Sequence, residues 1–313
     1  MLFLQILNEI TVALQPEFDR LHLDAWSNQT HTGDLLLVSE NGFYHEEVHK
    51  WNNLPKKQSP YVIGPGVEGH SERAHNDFIG TYLKRNLSEE NNKEYLERIK
   101  YTADFNPERD ILLKEDEYLV QQEMLIYQKI WEMDSFIKKF YQLTRLVLGD
   151  PYEWHFKIKQ STQNTDKGLK RSAILTKLVQ DRLKPYYPVI SNIIQDSYIS
   201  QIRNSIAHSR YSIHGRFIHL NNHIEGDAHS QLQVLSFEEW SNIIHNTIVL
   251  YTQINRLLNK VDQIYWEMAR KTDEKVEVRI NRKDPRSSTE YHLLKRRSEI
   301  GGWYWASNDE TLN

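Results

Sequence analysis

Cysteine is absent from this 313-residue chain. That removes disulfides, thiolate metal sites and a cysteine nucleophile together, and nothing points to an oxidising compartment. A large charge imbalance is missing too. The formal net charge is −4, so the chain as a whole is not a polycation, and attraction to nucleic acid must come from a local basic patch. No uninterrupted apolar run approaches the ~20 residues needed to cross a bilayer, so no membrane is expected as a partner. The opening Met1-Leu2-Phe3-Leu4-Gln5-Ile6-Leu7-Asn8-Glu9 is apolar but lacks the cationic start and small-residue cleavage site of a signal peptide. A cytoplasmic protein is the expectation. There is no internal repeat and no low-complexity tract. What is present, 39% hydrophobic and 26% charged residues, is ordinary for a globular chain with room for one large domain or two modest ones.

Three zones separate along the chain. Residues 1–115 are mixed. An apolar stretch through Leu14 is expected to end at Pro16, and Leu35-Leu36-Leu37-Val38 reads as a short strand closed by Asn41-Gly42. A loop rich in glycine and proline runs from Leu54-Pro55 through Gly64-Pro65-Gly66 to Gly69. These signals assemble into no recognisable fold. Residues 116–270 have a helical period. Tyr118, Gln122, Leu125, Ile126, Ile130, Met133, Ile137, Phe140 and Leu143 form one apolar stripe. A second helix spans about 169–183 and stops at Pro185. A third carries Ile190, Ile193, Ile194, Tyr198, Ile202 and Ile206. A hairpin over Tyr211–Leu220, turning at Gly215, and a polar loop from Asn221 to Ser230 follow. Ser236-Phe237-Glu238-Glu239 is a capping box opening a helix of about 35 residues, on the order of 50 Å long. Residues 271–313 alternate in Val276-Glu277-Val278-Arg279-Ile280, turn at Asp284-Pro285 and return through Tyr291-His292-Leu293-Leu294. From Arg270 to Glu299 there are ten Lys or Arg against six Asp or Glu, which makes this the one clearly basic stretch.

The third helix runs into Arg203-Asn204-Ser205-Ile206-Ala207-His208. The hexapeptide joins a permanent cation to a side chain that titrates near neutral pH. Asn204 lies one turn before His208, so the two share a face, and small Ser205 and Ala207 leave room beside the helix. Residues five apart point about 140° apart on an ideal helix. Arg203 and His208 therefore converge only if the helix loosens at its end or a second copy contributes. An Arg/His pair can hold a phosphate and move a proton, which is what cleaving RNA through its own 2′-hydroxyl needs. The bland alternative is a helix end where Arg203 makes a surface ion pair and His208 caps carbonyls. Other matches to the spacing, Arg216…His223 and Arg286…His292, lie where no apolar face fixes both side chains.

Two further motifs compete. His45-Glu46-Glu47-Val48-His49 is literally H-E-x-x-H, the spacing of a zinc peptidase. Against it stand the charge at Glu47, the Asn41-Gly42 and Pro55 breakers close by, and the lack of a third ligand better than His70, Glu72 or His75. No metal or cofactor is expected. The basic hairpin with Trp303-Tyr304-Trp305 would either grip RNA by cations and stacking or pack as an arm with its aromatics buried. His245, at helical spacing among Ile243, Ile244 and Ile248, reads as an interior or interface residue rather than a ligand.

The Arg203–His208 segment, followed by Tyr211, resembles the signature of the HEPN superfamily, R-x(4–6)-H with a polar residue after the arginine. The resemblance covers about 115–270. It implies a HEPN-like helical bundle over 116–270 and leaves both ends unexplained; with the mixed N-terminal region over 1–115 and the small basic C-terminal β-hairpin over 271–313 read from the residues, the fold expected is mainly α. The resemblance further implies a homodimer and a metal-independent endoribonuclease acting on RNA, tRNA or mRNA. His208 would then be the general acid/base, Arg203 the phosphate anchor and Asn204 an orienting residue, with Arg210 and Tyr211 as substrate contacts. Antiphage defence or toxin–antitoxin growth arrest, with an antitoxin or phage trigger as partner, belongs to the same implication. In the branch adenylylated by a partner nucleotidyltransferase the tyrosine stands two residues after the histidine; here it stands three. The alternative is a non-catalytic HEPN-like module that binds RNA or a nucleotide, or acts as a sensor.

Overall fold

The computed structural model describes residues 2–50, 59–64, 68–100, 106–159, 168–283, 288–296 and 302–306. Within them the chain is mainly α, with its larger antiparallel sheets towards the C-terminus. By their contacts the residues fall into two units, each built from three chain segments. The first comprises Met1–Glu17, Arg73–Met133 and Leu183–Gln253; the second comprises Phe18–Glu72, Asp134–Arg182 and Ile254–Asn313.

The chain opens with β1 (Leu2–Phe3) and α1 (Leu4–Asn28). The expected stop at Pro16 does not occur, since the proline lies inside α1. An interior proline removes a hydrogen bond and crowds the preceding turn, a cost of about 3 kcal/mol. Burial of Leu14 before it and of Phe18, Leu21 and Ala25 after it offsets that cost. Leu35–Val38 is a second correction. The run forms a helix, α2 (Asp34–Ser39), with all four side chains fully buried. A short run buried on every side carries no period by which helix and strand differ. Asn41-Gly42 does end the element, as a helix cap. Asn41 adopts φ +50, and the amides of Asn41 and Gly42 return to the carbonyls of Val38 and Leu37 at 3.3 and 3.0 Å. Antiparallel β2 (Phe43–Tyr44) and β3 (Tyr61–Val62) follow; half of the expected glycine- and proline-rich loop lies outside the described residues, and the described half holds β3 and the first residues of the next helix rather than loop alone. Then come α3 (Glu68–Asn86), β4 (Leu87–Ser88), which pairs in parallel with β1, and α4 (Asn92–Arg98).

The stripe expected from Tyr118 to Leu143 is two helices, α5 (Pro107–Glu132) and α6 (Asp134–Val147), divided at extended Met133 (φ −73°, ψ 103°). Its first half lies on the wrong face, for Tyr118 and Leu125 are 64% and 43% exposed. The inner face of α5 carries Asp116, Val120, Glu123, Met124, Tyr127, Ile130 and Trp131. Both buried acids have donors. Tyr95 donates to Asp116; Tyr82 and the Trp240 indole donate to the two oxygens of Glu123 at 3.1 and 2.9 Å. Unpaired, each carboxylate would be prohibitively expensive there. Acids on the inner face are what misled the periodicity.

The helical stretch before Pro185 is α7 (Arg171–Ala173), a π-helical segment over Ile174–Gln180 and α8 (Asp181–Leu183). The helix expected to run into the Arg/His motif is broken into α9 (Pro188–Ser197) and α10 (Ser200–Ala207). Between them Tyr198 and Ile199 are extended, and the Tyr127 hydroxyl bridges the gap. It donates to the Ser197 carbonyl and accepts from the Ile199 amide, both at 3.0 Å. One buried hydroxyl thus replaces the two main-chain partners that a continuous helix would have supplied.

The hairpin pairs β5 (Tyr211–His214) with β6 (Phe217–Leu220), turning at Gly215 with φ +58. A third strand, β7 (Val234–Ser236), adds to β6. The capping box forms as expected: Glu239 N–H donates to Ser236 Oγ at 3.2 Å, and Ser236 N–H donates to the Glu239 carboxylate at 2.7 Å. It opens α11 (Phe237–Ala269), 33 residues long. The last sheet has the order β10 (Trp303–Trp305), β9 (Thr289–Arg296), β8 (Lys275–Asn281), all antiparallel. The turn expected at Asp284-Pro285 lies outside the described residues.

In the first unit α10 packs on α5, and the aromatic core stacks edge to face, Tyr127 with Trp240 at 5.6 Å and Trp131 with Tyr198 at 5.1 Å. His245 is fully buried on α11. Its Nε2 accepts from the Phe3 amide at 2.7 Å and its Nδ1–H points at the Ser241 carbonyl at 2.6 Å. Both nitrogens are used, and the ring is the neutral Nδ1–H tautomer. Burial pushes its pKa down to about 4. In the second unit α2 packs on α6 and β8. A Cβ on Gly33 would stand 2.2 Å from the Glu277 carbonyl, so only glycine admits that approach.

Candidate functional site

Helix α10 buries Gln201, Ile202, Ser205 and Ile206 and leaves Arg203 and Asn204 half-buried; Ala207 through Arg210 are exposed. Its end is a left-handed cap. Ser209 adopts φ +52, the Ser209 amide donates to the Ile206 carbonyl at 3.2 Å and the Arg210 amide to the Ser205 carbonyl at 2.8 Å. The Ser205 hydroxyl and the Asn221 amide both donate to the Arg210 carbonyl, which fixes the exit of the chain into β5. The helix keeps its regular winding up to His208, whose amide still reaches the Asn204 carbonyl at 3.1 Å. It does not loosen, so nothing in the backbone swings His208 round towards Arg203.

The five residues singled out by the sequence are placed accordingly. Arg203 turns to α5, where its Nη1 meets Glu132 Oε1 at 2.5 Å, the two side chains 21% and 29% exposed. Its Nε–H is buried with no hydrogen-bond partner. Glu132 closes α5, at the negative end of the helix dipole, where a carboxylate is unfavourable unless a cation answers it. His208 is exposed and stands one turn from Asn204 on the same helix. Arg210 is exposed beyond the cap, and Tyr211, half-buried, begins β5 opposite Leu220. Among the described residues no hydrogen bond or ion pair joins Arg203 to His208. One chain therefore presents a cation held by an acid and, separately, a solvent-facing imidazole.

Sequence reasoning missed Glu132, the residue that holds Arg203, and Tyr127, which fixes where α10 starts. The one local signal for Glu132 was an acid in the last turn of a helix. Tyr127 had none.

The competing motifs fare differently. Glu46–Lys50 is a single 3-10 turn preceded by His45, whose Nδ1 accepts from the Glu47 amide at 3.2 Å. The segment is not the α-helix on which that zinc motif sits. The side chain of His49 lies outside those described, as does Arg286. Among the described residues no group of three or more His, Asp or Glu is arranged to hold a metal. In the C-terminal segment four cations have acidic partners. Arg279 reaches Asp34 (3.4 Å), Arg282 Glu290 (2.7 Å), Lys283 Glu153 (2.8 Å) and Arg296 Asp262 (3.1 Å). Trp303 is buried, and the Trp305 indole donates to the Tyr61 carbonyl at 2.9 Å.

No helix among the described residues is long and apolar enough to cross a membrane. No protein-family model, no curated protein and no solved structure matches the chain.

Proposed function

We propose that the chain is a metal-independent endoribonuclease of HEPN type, cleaving RNA by attack of a ribose 2′-hydroxyl on its own phosphodiester. Arg203 would bind the scissile phosphate, His208 would move the proton and Asn204 would orient the imidazole or the RNA. Arg210 and Tyr211 would contact the strand beyond the cut. The observation that carries the reading is the state of the motif on α10: an exposed imidazole at a capped helix end, on the same helix as an arginine charge-held by Glu132. A 2′,3′-cyclic phosphate and a 5′-hydroxyl end are the expected products, and DNA, which lacks the 2′-hydroxyl, is not a substrate. A homodimer working in antiphage defence or growth arrest, in the cytoplasm, goes with the same resemblance.

A second reading is favoured by the Arg203–Glu132 pair itself. If that pair is structural, the module binds RNA without cutting it. Incubating total RNA with the purified chain in excess EDTA, and with Arg203→Ala and His208→Ala, decides between them. Cyclic-phosphate ends produced by the wild type and lost in both variants support the nuclease. Retention of RNA without product, indifferent to His208→Ala, removes it.

A further inference from the structure

Two histidines meet on the outer face of the β5–β6 hairpin. The strand register pairs Ser212 with His219 and His214 with Phe217. His214 and His219 are therefore diagonal neighbours on one side of the sheet, within reach of each other. The other side carries Ile218 and Leu220, both buried, whereas His214 is exposed and His219 half-buried. The two ring centroids stand 5.3 Å apart, with the planes inclined at 69°. Among the described residues neither side chain makes a hydrogen bond or an ion pair, so their ring nitrogens are uncommitted. Other imidazoles of the chain are engaged: His31 with Glu277, His292 with Glu290, and His245 with Phe3 and Ser241.

Two imidazoles on one tetrahedral ion have a set spacing. Metal–nitrogen bonds of about 2.0–2.1 Å, opened at ~109°, put the ring centroids ~5 Å apart. The hairpin register already holds this pair at that separation. Only the ring torsions, which are broad, need adjust to aim both nitrogens at one point. We propose that His214 and His219 chelate a divalent transition ion of the zinc, copper or nickel class on the surface of the hairpin. Imidazole suits those ions, whereas magnesium and calcium take oxygen ligands. No third histidine or acid completes the set among the described residues. Two positions of the ion are left to water or a bound ligand, which makes the site open rather than closed and structural. The ion ties β5 to β6 and stiffens the hairpin that leaves the capped end of α10. Nothing in this depends on RNA being bound or cut.

Zinc chloride alone, titrated calorimetrically into the full chain after EDTA treatment and desalting, tests the proposal. Wild type should bind one ion per chain at a site that magnesium chloride does not fill. His214→Gln and His219→Gln should each weaken it ~10-fold or more, at least what losing a mere supporting partner costs a metal site. His229→Gln, which removes an exposed histidine from the following loop, should leave it intact. Zinc should also slow amide exchange across 211–220 in the wild type and not in His214→Gln. Zinc affinity unchanged in both pair variants, or lost as fully in His229→Gln, overturns the proposal. So does hairpin exchange that saturating zinc leaves unaltered. Should the half-buried position reject glutamine and His219→Gln fail to fold, His214→Gln, exposed beside the turn, decides by both readouts.

Discussion

Tyr127→Phe is a one-atom test of what fixes the Arg/His helix. The ring stays: it is fully buried between Trp131 and Trp240, with centroids at 6.4 and 5.6 Å, so no apolar surface and no cavity volume change appreciably. Only the hydroxyl goes. It leaves the Ser197 carbonyl and the Ile199 amide unpaired at the α9–α10 break, each having lost a 3.0 Å bond. A buried main-chain group stripped of its partner costs about 1–3 kcal/mol, so two should cost about 2–6 kcal/mol together. Urea unfolding should show that loss as a lower midpoint with an unchanged slope, and exchange of the Ile199 amide should accelerate by more than the global loss accounts for. Tyr118→Phe removes the same atom from an exposed tyrosine and should be neutral within ~0.5 kcal/mol. If Tyr127→Phe costs no more than Tyr118→Phe, the bridge does not set the start of α10 and the account of the break is wrong.

Three further outcomes are expected. Ser209→Gly, at φ +52, relieves a left-handed conformation that glycine adopts freely and should raise stability by about 1 kcal/mol, read from urea midpoints. His245, lowered by burial to about 4 from 6.5, binds fewer protons folded than unfolded. Its contribution is therefore complete above pH 6.5 and drains away as pH falls to 4, by about 3 kcal/mol in all; nitrogen chemical shifts should show a neutral Nδ1–H ring at pH 5, and a protonated ring there would refute the assignment. Under the nuclease reading, Glu132→Ala frees the Arg203 side chain and should lower cleavage ~10–100-fold through misplacement without weakening RNA binding, since a nearby negative charge is gone. Unchanged cleavage would leave Glu132 a surface partner only.

How much of this was legible depended on whether a residue's role is set by its neighbours in sequence. The capping box at Ser236–Glu239, the Gly215 hairpin and the strand pattern of Val276–Ile280 are local devices, decided within a few residues, and all three form. Pro16 and Leu35–Val38 failed because burial overrode the local rule. The inner face of α5 was misassigned because Asp116 and Glu123 count as surface residues in any periodicity, while Tyr82, Tyr95 and Trp240, which make them affordable inside, are distant in the chain. The same limit applies at the motif. Arg203, Asn204 and His208 are adjacent and could be named, but the acid that holds Arg203 lies 71 positions away.

That acid also sharpens what the motif needs. Winding by ~100° per residue sets Arg203 and His208 about 140° apart on a regular helix, and α10 stays regular to a cap pinned by Ser205, Ile206 and Asn221. With Arg203 drawn to Glu132 and His208 facing solvent, one chain is not built to grip and protonate the same phosphate. If the proposed nuclease exists, its cation and its imidazole come from different copies. Arg203→Ala and His208→Ala chains should each be inactive, and an equimolar mixture unfolded and refolded together should recover about a quarter of wild-type activity: about half the dimers mixed, one of two composite sites intact in each. A mixture as silent as its components would remove the shared site, and with it the reason for the motif to lie on so stiff a helix end.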